Sequence, residues 1–263
     1  MSAPMVTMDR LKATRLLSIM NAVAFIVNTA ETFGYGPFSS GFTSGMDNAT
    51  ISSKYQTIIT PHGIAFSIWG VIFISQFLCI VSTFVSEHNR THPLMVDGVG
   101  SWFIAVCLTQ TAWSPAFARE QIPLSLRIMA FILIGLVAIV VRQYNLVTGI
   151  IDEGGVISSS DYWLLQFPFE IHCSWITAAL LLNMNILVVK LGGSAEIQAM
   201  VASASLAILA MASFICLKIL NRPQFVLPSV AAWALVSVKC RNNRIILCSR
   251  LNVAYNCLYF SFG

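Results

Sequence analysis

The sequence predicts an all-α membrane protein, a bundle of six or seven transmembrane helices. Apolar residues make up 57% of the 263 residues and charged residues only 10%, whereas soluble domains carry roughly 25% charged residues. The mean hydropathy is +0.77, and the apolar residues form long runs of about 20, enough for a helix to cross a bilayer. Because these runs are continuous and do not alternate, they predict helices and exclude a barrel.

The apolar runs define seven candidate spans along the chain. Polar loops rich in glycine and serine separate several of them, and no linker is long enough to hold a separate soluble domain. The predicted spans are Leu16–Phe33, Thr60–Val85, Val99–Ala118, Pro123–Val147, Tyr162–Leu191, Ile197–Leu217 and Pro223–Val238.

These spans divide the chain into four regions. A basic N-terminal tail (1–15) precedes a five-span unit (16–191), and additional membrane helices follow (192–238). The last region, 239–263, is an atypical mixture of cysteine, asparagine, arginine and aromatic residues. It is either a broken eighth span, with Arg250 at a costly position in lipid, or sequence that does not belong to the native protein. We favour the second interpretation.

Composition and motifs also exclude several functions. The net charge of +4 is small and dispersed, so we expect no nucleic-acid partner. The seven cysteines show no CxxC spacing, and no metal-ligand cluster is expected. The sequence contains no Ser-His-Asp order, no phosphate-binding loop and no dedicated acid–base pair. We therefore expect no resident cofactor and rank an enzymatic role last.

Aromatic and polar residues share helix faces in the second and third spans. In the second span, Phe66 and Trp69 are three positions apart. In the third span, Gln110, Trp113 and Phe117 are three and four positions apart. Residues three or four apart lie on the same side of a helix. These faces are predicted either to contact a ligand or to pack against a neighbouring helix.

The fifth span carries further polar groups after Pro168. Glu170 and His172 precede Trp175, and Asn183 follows about two turns later. Ionisable groups inside a membrane are functional candidates, although a partly hydrated position near one end of the span would also explain Glu170 and His172. Asn183 is predicted to form either a ligand contact or a hydrogen bond between helices.

At these positions the sequence resembles the family of tryptophan-rich sensory protein TspO and the mitochondrial translocator protein (peripheral benzodiazepine receptor). The segment Pro61–Gly70 is similar to the Pro-to-Trp-Gly pattern of that family's second helix. Trp113–Phe117 resembles the Trp-x-Pro-x-Phe element of its third helix. Trp175 and Asn183, eight positions apart, reproduce a spacing in its fifth helix.

The resemblance covers residues 16–191 and has three departures. Gln110-Thr111 stands where the family's third helix usually has Leu-Asn. The segment Pro168–Trp175 is about a helical turn longer than its counterpart, and the last spans lie beyond the family's five-helix unit. The chain therefore resembles a diverged, longer branch of the TspO family. This implies a TspO-like five-helix transmembrane bundle over 16–191, plus one or two extra C-terminal helices.

The resemblance also implies a ligand pocket open toward one membrane face. In the family this pocket binds porphyrins such as protoporphyrin IX and, in some members, sterols or benzodiazepine-type drugs. An aromatic-lined cavity suits a flat apolar macrocycle. The resemblance implies that Phe66, Trp69, Trp113, Phe117, Trp175 and Asn183 line this pocket, with His62 at a polar edge of the ligand. From their own polar chemistry, Gln110 is predicted as a further ligand-binding residue, and Glu170 and His172 as a polar pocket.

Three functions follow as expectations. The first is a multi-pass receptor or binding protein for porphyrin-like, sterol-like or other apolar ligands, with membrane lipid as its surroundings. The second is a small-molecule transporter, which would be favoured if Glu170, His172 and Gln110 faced one cavity. The third is light-dependent porphyrin degradation, which has been ascribed to some family members. Small residues at Ala202–Ser205 would also permit self-association into a homo-oligomer.

Overall fold

The structure is a computed structural model that describes residues 8–34 and 48–241. Every regular element within these two stretches is helical, and they contain no strand. Residues 1–7, 35–47 and 242–263 lie outside the described residues, and with them most of the predicted C-terminal tail. The predicted all-α fold class is confirmed.

Each of the seven predicted spans overlaps a helix, but the third (99–118) and the seventh (223–238) are not among the five helical stretches of the described residues that are long and apolar enough to cross a membrane. A 3₁₀ turn (Gly63–Ser67) leads into the third helix, and π-helical segments occupy Leu94–Val99, Tyr162–Gln166 and Ile215–Ile219. In chain order the helices are α1 (Met8–Gly34), α2 (Asn48–Lys54), α3 (Ile68–Val85), α4 (Glu87–Thr91), α5 (Trp102–Ala118), α6 (Ile122–Asp152), α7 (Ser159–Asp161), α8 (Phe167–Lys190), α9 (Ala195–Phe214) and α10 (226–241).

The long helices have the length and composition of membrane spans. Large apolar side chains such as Ile74, Phe131 and Met211 point outward, an arrangement that lipid tolerates and water does not. The chain is therefore a multi-pass integral membrane protein. The helical stretches that meet the criteria for a span are Met8–Phe33, Gly63–Val85, Ile122–Asp152, Ser159–Lys190 and Ala195–Ile219.

Five helices close a ring that corresponds to the predicted unit 16–191. Helix α1 packs against α3 and α5, α5 packs against α6, and α8 joins α6 to α3. Helices α5 and α6 approach closely at Gly135, where an added Cβ would lie 2.8 Å from Cγ2 of Val106. The fully buried side chains of Phe103, Ile132 and Phe169 fill the interior of this ring.

Helices α9 and α10 pack outside the ring, so there are two additional helices. Leu181, Leu209 and Ala231 form a small apolar cluster that joins α8, α9 and α10. The indole Nε1 of Trp233 on α10 donates a hydrogen bond to the carbonyl oxygen of Ala65, at 3.2 Å. These contacts hold α10 against the beginning of α3.

Both ends of the predicted membrane region extend further as helix than the apolar runs indicate. Helix α1 begins at Met8, inside the predicted tail, because residues 8–15 are mostly good helix formers and Asp9 in the first turn complements the helix dipole. Helix α10 continues through 239–241, the first residues of the predicted atypical tail. Hydropathy locates the segment in lipid, whereas helix ends depend on local propensity and capping.

Gln143 on α6 connects two of the π-helical segments. Its buried side-chain Nε2 donates to the carbonyl oxygens of Leu94, at 3.2 Å, and Leu165, at 2.7 Å. Leu94 belongs to the π-helical segment before α5, and Leu165 to the one before α8. Backbone carbonyls left buried without a donor are costly, so Gln143 stabilises the irregular backbone from which α8 begins.

Candidate functional site

A small aromatic cavity lies inside the helical ring. Its volume is about 30 Å³, roughly the space of a single water molecule. It is bounded by the start of α3 together with α5, α6 and α8, and α2 contributes Ser52 to its wall. Six of the predicted ligand-binding residues line it, namely Phe66, Trp69, Trp113, Phe117, Trp175 and Asn183.

Two groups of aromatic rings form most of this wall. Trp175 makes edge-on contacts with Trp69, at 6.3 Å between ring centroids, and with Phe66, at 5.9 Å. Trp113 and Phe117, four residues apart on α5, stack at 4.9 Å with 17° between their planes. These distances are typical of favourable aromatic pairs. The spacing along each helix predicted which rings share a face, and the fold brings the faces together.

The cavity wall also contains polar atoms without partners. The indole Nε1 atoms of Trp113 and Trp175, the Oδ1 atom of Asn183 and the Oγ atom of Ser52 are buried and accept or donate no hydrogen bond within the described residues. The other side-chain atom of Asn183, Nδ2, donates to Oγ of Ser125 on α6, at 3.1 Å. Asn183 thus joins two helices, and its Oδ1 atom remains a buried acceptor without a partner in a residue that lines the cavity.

Helix α2 is held over the ring by a cluster of polar contacts. Nζ of Lys54 lies 2.6 Å from Oε1 of Glu120, and the hydroxyl of Tyr55 donates to the other carboxylate oxygen. Lys190, at the end of α8, donates to the Glu120 backbone carbonyl. The connection between α5 and α6 bends sharply here, with a φ of 59° at Glu120. The cluster therefore connects α2 to two other parts of the bundle.

These contacts shift the pKa values of the three side chains involved. The hydrogen bonds from Lys54 and Tyr55 lower the pKa of Glu120. The hydrogen bond to Glu120 correspondingly raises the pKa of Lys54 and of Tyr55. At neutral pH the cluster therefore combines a carboxylate, an ammonium group and a neutral phenol, the combination that forms the most hydrogen bonds.

Two predicted ligand residues do not line this cavity. His62 caps the 3₁₀ turn before α3, where its Nδ1 accepts from the backbone nitrogen of Ile64 at 3.3 Å. Gln110 is buried on α5, and neither amide atom has a partner among the residues described. The sequence predicted both as ligand-binding residues but did not show on which side of the helix each residue lies.

Within the described residues, Glu170 and His172 have different surroundings. Residues two apart are separated by about 200° around a helix. The Nδ1 atom of His172 lies 2.9 Å from Nε2 of Gln76, and its ring contacts Trp69. Glu170 instead lines a different cavity. The condition that would have favoured a transporter, a shared cavity for these two residues and Gln110, is not met.

Besides Ser52, four further residues line the aromatic cavity that were not predicted as ligand-binding residues. Leu182 is adjacent to the predicted Asn183, and this adjacency could have indicated that Leu182 also lines the cavity. The remaining liners beyond Ser52 are apolar residues on apolar helices, and nothing in their sequence context distinguishes them from core or lipid-facing positions. These residues are Met129, Ala179, Leu182 and Ile186.

One group of side chains could hold a metal ion. Atoms of His88, His92 and Asp161 that could act as ligands lie within 4.8 Å of one another, with His88 Nε2 3.1 Å from an Asp161 oxygen. Burial lowers the pKa of His92, which favours the neutral imidazole that metals bind. However, Nδ1 of His92 accepts from the backbone nitrogen of Leu94. The spacing of His88 and His92 was a usable sequence signal, whereas Asp161 joins them only through the fold.

The sequence model of a family described as TSPO-like protein matches residues 16–261. The matched region contains α3, α5, α6 and α8 with their cavity, and also α9 and α10. It extends through most of the C-terminal tail, which argues against the interpretation that non-native sequence begins at Lys239. No curated protein and no solved structure matches this chain.

Proposed function

This chain belongs to the TSPO-like protein family, and from that premise we propose that it binds flat apolar ligands of the porphyrin type in its aromatic cavity. The membrane location follows from the apolar helices. The observation that carries the ligand proposal is the set of buried, unpartnered polar atoms on an otherwise aromatic wall. The alternative candidates, transport and light-dependent degradation, have no comparable structural support.

Unpartnered atoms in a buried wall indicate a missing partner. Native proteins satisfy nearly all of their buried polar groups, and each exception requires an explanation. The wall offers two indole donors, from Trp113 and Trp175, and one amide acceptor, Oδ1 of Asn183. A porphyrin presents carboxylate acceptors at its edge, so it could accept hydrogen bonds from the indole donors while its faces contact the aromatic rings.

The cavity must expand before a macrocycle can enter. Its volume of about 30 Å³ is far below the roughly 300–1,000 Å³ typical of small-molecule sites. Helix α2 is short and supplies Ser52 to the wall. Lys54 and Tyr55 fasten it to Glu120, and Ile51 packs into the core. We expect this helix to move outward when the ligand binds, while the long helices keep their positions.

The first experiment is a titration of the detergent-purified protein with protoporphyrin IX, followed by intrinsic tryptophan fluorescence. Saturable quenching is expected. Trp113→Phe and Trp175→Phe each keep an aromatic side chain, smaller than indole, and remove the indole N–H. The loss of one buried hydrogen bond, about 1 kcal/mol, weakens binding about fivefold.

Trp163→Phe is the matched control, because Trp163 is exposed on the outside of the bundle. This variant should lose fluorescence but retain the affinity of the unmodified protein. Quenching that never saturates, or affinities that are the same in all three variants, would indicate partitioning into detergent and would overturn the proposal.

A further inference from the structure

A second, larger cavity lies between the five-helix ring and the two additional helices. Its volume is about 450 Å³, within the range of small-molecule sites. Its walls come from α6, α8, α9 and the segment that leads into α10, with Val137, Ala212 and Leu227 among the apolar liners. It shares no lining residue with the aromatic cavity, so an inference drawn here does not depend on the proposed function.

Glu170 is the only acidic or basic residue among the described residues that line this cavity. Its side chain is buried on α8. Oε1 accepts from Nε2 of Gln166 at 2.7 Å, and Oε2 accepts from the hydroxyl of Tyr162 at 3.3 Å. Both donors are neutral, and no ion pair involves Glu170 within the described part of the chain.

The local backbone explains how this arrangement is built. The π-helical segment Tyr162–Gln166 widens the turn that precedes α8, and π-helical turns often occur at functional sites. Gln166 lies one helical turn and Tyr162 two turns before Glu170, so the segment places both neutral donors beside the Glu170 carboxylate. A carboxylate has about four acceptor positions. Two are occupied, so acceptor capacity remains for a group that enters the cavity.

A buried carboxyl group without a cationic partner is costly in its charged form. A ligand ammonium group would supply that partner and form a charge-assisted hydrogen bond, which is stronger than a neutral one. The remaining walls are almost entirely apolar and suit a hydrocarbon chain. A neutral lipid tail would fill the same space but would leave the carboxyl group unpaired.

We propose that this cavity is a binding site for an amphiphilic amine. Its ammonium group pairs with the carboxylate of Glu170, and its hydrocarbon part lies along α6 and α9. The site exists because α9 and α10 cover the outer side of α8, and it is therefore a property of the longer chain.

The test is equilibrium binding of radiolabelled dodecylamine to the full chain in lipid nanodiscs, with empty nanodiscs subtracted. Glu170→Gln keeps the shape of the side chain and removes its charge. Ala212→Phe fills the cavity from α9. Each change should weaken saturable binding about tenfold, as expected for the loss of a charge-assisted contact or of the space itself.

Two matched controls accompany these variants. Ala207→Phe adds the same bulk to an exposed position of α9 and should leave dodecylamine binding unchanged. Trp113→Phe alters only the aromatic cavity and should also leave it unchanged. Dodecanol, which has no charge, should bind more weakly than the amine and should not distinguish Glu170→Gln from the unmodified protein.

Thiol labelling locates the bound amine independently. Cys216 lines the cavity, whereas Cys240 is exposed on α10. Dodecylamine should slow maleimide labelling of Cys216 and not that of Cys240.

The proposal is overturned if the unmodified protein shows no saturable binding, or if binding survives Glu170→Gln or Ala212→Phe. It is also overturned if Ala207→Phe reduces binding equally, because the loss would then reflect damage to α9. If Glu170→Gln fails to fold, Ala212→Phe and the labelling decide the question.

Discussion

The side-chain amide of Asn183 donates a hydrogen bond to the hydroxyl of Ser125, 3.1 Å away, and this bond joins α8 to α6 beside the aromatic cavity. Both side chains are buried. Ser125 in turn donates to the carbonyl oxygen of Ile122. The helix-joining interpretation of Asn183 therefore has a partner in the structure, and the other amide atom, Oδ1, is left buried without one.

Replacing both partners should reveal their coupling. Hydrogen bonds between membrane helices contribute about 0.6 kcal/mol on average. We expect Ser125→Ala and Asn183→Ala to lower the unfolding free energy less in combination than the sum of their single effects, by about that amount. Denaturant unfolding of the four proteins in detergent measures the difference. Strictly additive effects would contradict an energetic role for this bond.

Close packing of α5 against α6 depends on the absence of a side chain at position 135. A Cβ there would lie 2.8 Å from Cγ2 of Val106, and overpacking of this kind costs about 1–3 kcal/mol. Gly135→Ala should therefore lower the midpoint of thermal unfolding. Gly149→Ala, in the same helix with nothing within 4 Å, should instead be neutral or stabilising, since alanine is the better helix former. Equal shifts in the two variants would contradict this packing.

Gln143 should be required for the irregular backbone before α8. Gln143→Met keeps the length of the side chain but removes the donor that satisfies the carbonyls of Leu94 and Leu165. Each buried carbonyl left without a donor costs about 1–3 kcal/mol, so a large loss of stability is expected in thermal unfolding. Phe131→Met, at an exposed position of the same helix, is the control and should change little. A mild effect at both positions would show that water replaces the amide.

Acid should loosen the attachment of α2. The pKa of Glu120 is lowered by its contacts with Lys54 and Tyr55, so the folded state binds fewer protons than the unfolded one as pH falls through the carboxyl range, near pH 4.3. The stabilisation is complete above that range and is lost as pH falls through the lowered pKa. Hydrogen exchange of the α2 amides, corrected for the intrinsic effect of pH, should therefore increase in acid.

The same attachment can be tested at neutral pH. Glu120→Gln should increase hydrogen exchange in α2 at pH 7 and should abolish the additional increase in acid. High salt should have a similar effect on the unmodified protein, because exposed ion pairs are screened. Glu196→Gln, which removes an exposed carboxylate at the start of α9, is the control. Unchanged exchange in Glu120→Gln would mean that apolar contacts of α2 alone hold it in place.

Several features of this protein were determined by the sequence alone. Uninterrupted apolar runs predicted the helices, because a backbone in lipid must satisfy its own hydrogen bonds. Helical periodicity placed Trp113 and Phe117 on one face, and the two rings stack in the structure. The motifs in three spans indicated the TspO family, and the family match confirms this assignment. Each of these inferences uses only the order and spacing of residues along the chain.

Other features were decided only by the tertiary structure. The sequence could not show that the aromatic walls converge on a space of about 30 Å³, because a cavity's volume depends on the distances between helices. The sequence predicted that Glu170 and His172 form one polar pocket. In the structure the two residues lie on different sides of α8, where Glu170 lines the cavity bounded by α6 and His172 lies beside Gln76 of α3. The cavity of about 450 Å³ could not be predicted either, since it is formed by how α9 and α10 pack on α8. Composition determines which segments enter the membrane, and only packing determines which side chains meet there.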